Sequence, residues 1–225
     1  MRQFALILLG AITALLASVS VADTETAGVL EDPLVKANVN IYDKVSKQRG
    51  AKLFVNYCMG CHSLQYQRYG RLGEDLGIPE DIVLENLNFV SDRIGDTMQN
   101  AMDKKDAAEW FGATPPDLTM VARLRSPDWL YSYLIGFYED ASRPYGYNNK
   151  IFPLVGMPHV LADLEEELGD EKFREAMLDL TNFLVYTAEP IQETRRKIGF
   201  GVLFFLLILL IPAYLLKREY WKDVK

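Results

Sequence analysis

The chain has 225 residues, 49% of them hydrophobic and 24% charged, with 31 acidic against 24 basic side chains and a formal net charge of −7. That apolar share excludes an extended disordered chain, and the acidic balance excludes a general nucleic-acid binder. Two cysteines and two histidines are present, so thiol or imidazole chemistry has few places to sit.

The first predicted element is an export signal. Met1-Arg2-Gln3 precedes an apolar run from Phe4 to Ala17, and Ser18-Val19-Ser20-Val21-Ala22-Asp23 follows with small residues. One basic residue, a short apolar core and small residues at Ser20 and Ala22 predict a signal peptide over 1–22, cleaved after Ala22. An uncleaved anchor is the alternative, but the run is short against the roughly 20 residues a span requires. The exported segment 23–194 is long enough for one domain with a real core. Residues 195–225 hold seven basic and two acidic side chains and the signal holds one basic residue, which leaves −13 on segment 23–194. Such a domain repels nucleic acid and attracts cationic partners through steering that salt weakens.

From Lys47 to Tyr57 the chain reads as a helix with Ala51, Phe54, Val55 and Cys58 on one face. It runs into Cys58-Met59-Gly60-Cys61-His62. Two thiols three positions apart on one turn can add to the two vinyl groups of a haem, and the next imidazole can then bind the iron. C-x-x-C-H is the signature of c-type haem attachment. A redox dithiol would leave His62 idle, and the surrounding βαβ pattern is missing. A zinc site of Cys58, Cys61, His62 and His159 needs adjacent side chains to converge and leaves His159 alone, whereas structural sites space the second pair about two to five residues apart. Haem attachment takes place outside the cytoplasm, in agreement with the export signal, and leaves no thiol for a disulfide.

Ser126-Pro127 opens a helix carrying Trp129, Leu130, Tyr133, Leu134 and Phe137. The loop Ile151-Phe152-Pro153-Leu154-Val155-Gly156-Met157-Pro158-His159 offers two candidates for a sixth iron ligand, Met157 and His159. Met157 has no helical period to explain it as core, while Met98, Met102 and Met177 sit at helical spacing and read as packing residues. A thioether ligand favours ferrous iron and raises the potential, and a second histidine would lower it. Met157 is the preferred ligand and His159 the alternative. Glu165-Glu166-Glu167 reads as a solvated helix face. Phe173, Met177, Leu180, Phe183 and Leu184 then mark a helix from about Asp170 to Ala188, stopped by Pro190. The expected domain is mostly α, wrapped with long loops around a flat apolar cofactor.

Ile198 to Leu216 is a run of nineteen residues without a charge. A core helix seldom stays apolar on every face for that length, so the run predicts a transmembrane helix. Arg195-Arg196-Lys197 flanks one end, and Tyr214, Lys217-Arg218, Tyr220 and Trp221 flank the other as interfacial anchors. The expected organisation is therefore a signal over 1–22, a periplasmic domain over 23–194, an anchor with its basic flank over 195–216 and a cytoplasmic tail over 217–225.

Four segments carry a resemblance. Gly112-Ala113-Thr114-Pro115-Pro116-Asp117-Leu118 with Ala122-Arg123-Leu124-Arg125 is similar to the haem-crevice segment of cytochrome c1. Arg143-Pro144-Tyr145-Gly146-Tyr147-Asn148-Asn149 leading to Phe152-Pro153 and Gly156-Met157-Pro158 resembles the same family. So does Thr181-Asn182-Phe183-Leu184 running to Ala188-Glu189-Pro190 before a single C-terminal span. The resemblance covers nearly the whole mature chain, in order. It implies a class I cytochrome c-like haem domain plus one C-terminal transmembrane helix, and the export signal sets both in a bacterial inner membrane. It also implies one covalently bound haem c, attached through Cys58 and Cys61, with His62 and Met157 as axial ligands. Pro115 and Pro116 would pack along the haem, and Arg125 with Tyr131 would bind a propionate. The implied function is electron transfer from a Rieske iron–sulfur protein to a soluble c-type cytochrome, beside cytochrome b in a quinol–cytochrome c oxidoreductase complex. No residue of the chain would be catalytic, since the oxidoreductase activity belongs to the complex. The alternative is a free-standing membrane-anchored monohaem cytochrome donating to a terminal oxidase. A haem enzyme or gas sensor would instead need an open sixth position. The chain departs from some members of the family in having no cysteines for an extra disulfide, and from the usual pattern in having His159 beside the methionine.

Overall fold

The computed structural model describes residues 33–223, and the expected signal segment lies outside the described residues. In chain order the elements are α1 (Lys44–Leu53), a π-helical turn (Phe54–Cys58), β1 (Leu64–Arg68), α2 (Tyr69–Leu76), α3 (Glu80–Asn86), β2 (Thr97–Met98), α4 (Lys104–Phe111), α5 (Val121–Arg125), α6 (Pro127–Leu134), β3 (Phe137–Glu139), β4 (Tyr147–Asn149), α7 (Ala162–Ala188) and α8 (Gln192–Tyr220). The fold is mostly helical, as expected.

Helix α1 begins earlier than the apolar spacing suggests because a cap sets its start. The Asp43 carboxylate accepts the Ser46 N–H at 2.9 Å, which satisfies a donor that the helix leaves free. At its other end α1 widens into the π-helical turn, closed by the Met59 N–H on the Phe54 carbonyl at 2.9 Å. One extra residue in that turn shifts the register in which Cys58 leaves the helix.

The centre of the domain is the crossing of α1 and α7. Gly50 lies so close to α7 that a Cβ there would sit 2.1 Å from the Asp179 carbonyl oxygen. Around this close approach, Arg49 donates to both Asp179 carboxylate oxygens, at 2.5 and 2.8 Å. Asn182 accepts the Asn40 N–H at 2.8 Å and donates to the Ser46 hydroxyl at 2.7 Å. Phe54 meets Phe183 with ring centroids 5.8 Å apart. Leu64, Tyr69, Leu72, Phe173 and Leu180 complete this core, together with Met98 and Met177 as packing methionines, although Met98 lies in β2 and not on a helix, and Met102 is only half-buried and outside any helix or strand.

Helix α7 is two helices joined at Gly169, whose φ of 71° and ψ of 165° interrupt the helical geometry. The second piece starts where the sequence predicts, at Asp170. The first piece begins at Ala162 and holds Glu165-Glu166-Glu167, the residues read from the sequence as a helix face. Two small antiparallel ladders were not expected from the sequence. Leu64 pairs with Met98 across a bulged β1–β2, and Phe137, Tyr138 and Glu139 pair with Asn149, Asn148 and Tyr147 across β3–β4.

Helix α8 takes in the basic flank and runs through the whole predicted span. None of its residues is buried, and its length and composition suit a membrane crossing. At its root Glu189 accepts from Arg195 through both carboxylate oxygens and forms an ion pair with Arg123 of α5 at 3.2 Å. That carboxylate ties the helix to the domain.

Candidate functional site

The π-helical turn delivers the C-x-x-C-H segment as one hydrogen-bonded loop. The Cys58 carbonyl accepts both the Cys61 N–H at 3.1 Å and the His62 N–H at 2.8 Å. Cys58 is buried and Cys61 half-buried. Desolvation, helped by the neighbouring Cys61, pushes the Cys58 thiol up to about 12. A redox dithiol needs a thiol held low instead, which counts against that reading. Among the described residues no group of three or more His, Cys, Asp or Glu could hold a metal ion, so the zinc reading has no cluster.

His62 is buried, and its Nδ1 lies 2.7 Å from the Pro116 carbonyl oxygen. A carbonyl only accepts, so Nδ1 carries the proton and Nε2 keeps its lone pair for a metal. Burial also holds the imidazole below its ordinary pKa, against the opposing pull of that hydrogen bond and of Asp117, so it stays neutral at neutral pH. The partner is held in register by a short zipper. The Leu118 N–H donates to the Ser63 carbonyl at 3.0 Å, and Asp117 accepts the Gln65 N–H at 2.8 Å and the Thr119 N–H at 3.0 Å. Pro115 is half-buried beside it and Pro116 is exposed. Two thiols and an imidazole with a free Nε2 on one turn fit a covalently attached haem.

Met157 lies half-buried in a loop whose main chain is held by side chains rather than by a sheet or helix. Asn149 accepts the N–H groups of Ile151 and Phe152 at 2.9 and 3.2 Å, and Asn148 accepts that of Leu154 at 2.9 Å. Arg143 donates to the Leu154 and Val155 carbonyls at 2.9 and 3.0 Å. The strand pair β3–β4 places the two asparagines. The Tyr133 hydroxyl of α6 donates to the Met157 sulfur at 3.4 Å, and burial pushes that hydroxyl up to about 12, so it remains a donor.

His159 is spoken for differently. Its ring stacks on Phe137 at 4.6 Å and 5°, meets Tyr147 edge-on at 5.1 Å, and places Nε2 2.8 Å from a Glu165 carboxylate oxygen. Glu165 is therefore no mere solvated residue of the acidic triplet; it is the partner of a buried histidine. Arg125 is exposed at the end of α5 with its guanidinium 5.2 Å over the Trp129 ring, while Tyr131 is buried in α6. Among the described residues neither side chain makes a hydrogen bond, so the structure does not join them to each other. A guanidinium lying over an indole keeps its edge N–H groups free for a carboxylate.

The sequence reading missed the Pro116 carbonyl, the Tyr133 hydroxyl and the clamp of Arg143, Asn148 and Asn149. The paired asparagines were a signal, because asparagine amides commonly satisfy the backbone of irregular loops.

Fold and site together define a class: electron carriers of the c type, held at a membrane by a single apolar helix. Within that class the chain belongs to the cytochrome c1 family. The sequence pattern of the Cytochrome C1 family matches residues 35–224. The cytochrome c1 of Allochromatium vinosum is 50% identical, with 85% of this chain and 89% of that protein covered. A protein of Nitrosomonas europaea named ammonia monooxygenase gamma subunit is 42% identical, with 86% and 90% covered. The cytochrome c1 of Rhodospirillum rubrum is 30% identical, with 82% and 84% covered. The function is that of an electron-carrying haem subunit, with one covalently bound haem c as its cofactor.

Proposed function

We propose that Cys58 and Cys61 hold the haem through two thioethers, that His62 Nε2 is one axial ligand and that Met157 is the other. The observation that carries this reading is the Nδ1 of His62 on the Pro116 carbonyl at 2.7 Å, which fixes the tautomer a ligand needs. The bound haem supplies a site that takes up and gives back one electron. The chain's own residues orient and insulate it. Pro115 and Pro116 line its face, Arg125 with Tyr131 accommodates a propionate, and the clamped loop holds Met157 still. His159 supports the loop from behind, through Phe137 and Glu165.

The chain works beside cytochrome b and a Rieske iron–sulfur protein, taking electrons from the Rieske protein and passing them to a soluble c-type cytochrome. No residue of this chain makes or breaks a substrate bond; the oxidoreductase activity belongs to the complex. The acidic domain over 23–194 faces the periplasm after removal of the signal over 1–22, so the short tail over 217–225 stays in the cytoplasm; basic residues flank both ends of the span, and the signal sets the orientation. Acidic surface favours a cationic acceptor and disfavours nucleic acid.

Met157→Leu tests the ligand assignment. The substitution should abolish the weak near-infrared sulfur-to-iron band of the ferric protein, lower the potential and let carbon monoxide bind the ferrous iron. His159→Ala should keep the band. A wild-type ferric protein without the band, together with carbon monoxide binding gained in His159→Ala and not in Met157→Leu, would reverse the assignment.

A further inference from the structure

We propose that Tyr133 is a positioning residue for the axial methionine: its hydroxyl, by donating to the Met157 sulfur, orients the thioether and draws electron density from it, which favours the reduced haem. This rests on Met157 being the ligand. A thioether sulfur is a weak acceptor with more than one lone pair, so it can bind a metal through one and accept a hydrogen bond on another. With the Tyr133 hydroxyl 3.4 Å away, the second position is filled.

Tyr133 is built to hold that position. Its ring is stacked on Trp129 at 5.2 Å and 11°, and meets Phe137 edge-on at 5.3 Å and 75°. Its carbonyl accepts the Asn149 amide at 2.8 Å, and the same Asn149 accepts the N–H groups that open the ligand loop. One residue thus fixes the start of the loop through its main chain and the sulfur through its side chain. Packing alone does not require the hydroxyl, because a phenylalanine ring fills the same slot between Trp129 and Phe137. A donor aimed at the sulfur weakens its donation to ferric more than to ferrous iron, so the bond tilts the redox balance as well as the geometry.

The test uses the full-length, haem-loaded protein in its membrane and the variants Tyr133→Phe, Met157→Leu and the double substitution. In Tyr133→Phe the near-infrared band should weaken or shift. At a fixed ambient potential, the ratio of reduced to oxidised protein should fall by about two- to threefold, a fraction of the worth of one ordinary hydrogen bond, because the bond is present in both states and only its difference counts. Tyr138→Phe, an exposed hydroxyl on β3, should match wild type. In the Met157→Leu background, removing the Tyr133 hydroxyl should change nothing further. A Tyr133→Phe protein with wild-type band and ratio overturns the proposal, as does an effect that persists without Met157, because the hydroxyl would then act through packing. A wild-type protein without the band sinks the Met157 assignment itself, and the proposal with it.

Discussion

The imidazole of His62 takes its orientation from a main-chain oxygen that lies 54 positions away, and Met157 takes its hydrogen bond from a tyrosine 24 positions away. Neither partner is visible in local spacing. The thiols are, because C-x-x-C-H places two thiols on one turn beside an imidazole. Cys58→Ala and Cys61→Ala should therefore each impair covalent attachment, and the double substitution should abolish it. Haem staining of a denaturing gel after acid–acetone extraction measures this; wild-type protein that surrenders all its haem to the solvent would refute the thioethers. Met157 stands out in the sequence because its loop has no helical period. Its clamp does not, because Arg143, Asn148 and Asn149 act on carbonyl and amide groups that are the same in every residue. The propionate pair rests on resemblance, and the cation–π contact of Arg125 with Trp129 was not foreseen.

Among the elements, α1 and α7 were legible from their apolar faces and their crossing was not. Periodicity says which face is buried; it does not say that Gly50 must touch the Asp179 carbonyl for Phe54 and Phe183 to meet. A Cβ 2.1 Å from a backbone oxygen cannot be relieved by turning a side chain. Gly50→Ala should destabilise the domain by about 3 kcal/mol or more, the upper range of overpacking costs, because two helices must separate. Thermal unfolding of the haem-loaded protein measures the loss. A melting temperature within a degree or so of wild type would mean that the helices slide apart at no cost. The β ladders escaped the sequence reading for a plain reason: strands of two to five residues are too short to show alternation. The first piece of α7 was legible only as the helix face of Glu165-Glu166-Glu167, because Gly169 breaks the period that would have joined it to the second.

At the scale of the whole molecule, the acidic domain and the apolar helix do separate jobs and meet at Glu189. A helix of 29 residues reaches about 43 Å, more than the roughly 30 Å of a hydrocarbon layer. Pro212 within it is tolerable where neighbours or local adjustment satisfy the freed carbonyl. No part of the helix is buried against the domain, so its removal should leave the core intact. The place to cut follows from the junction. Stopping the chain after Lys197 keeps Arg195 on Glu189 and the 2.6 Å pair of Lys197 with Glu193, and removes only the uncharged run and the tail. The product should be a soluble, haem-loaded, acidic protein. It should still reduce a cationic cytochrome c, at a rate that falls as salt rises, since screening at about 8 Å under physiological salt shortens the reach of its field. It should not support electron flow from quinol, because cytochrome b and the Rieske protein are met at the membrane. Fractionation with a carbonate wash reads the first expectation, and stopped-flow reduction across a salt series reads the second. Truncated protein that remains in the washed membrane would take the anchoring role away from α8 and give it to the apolar run of residues 4–17.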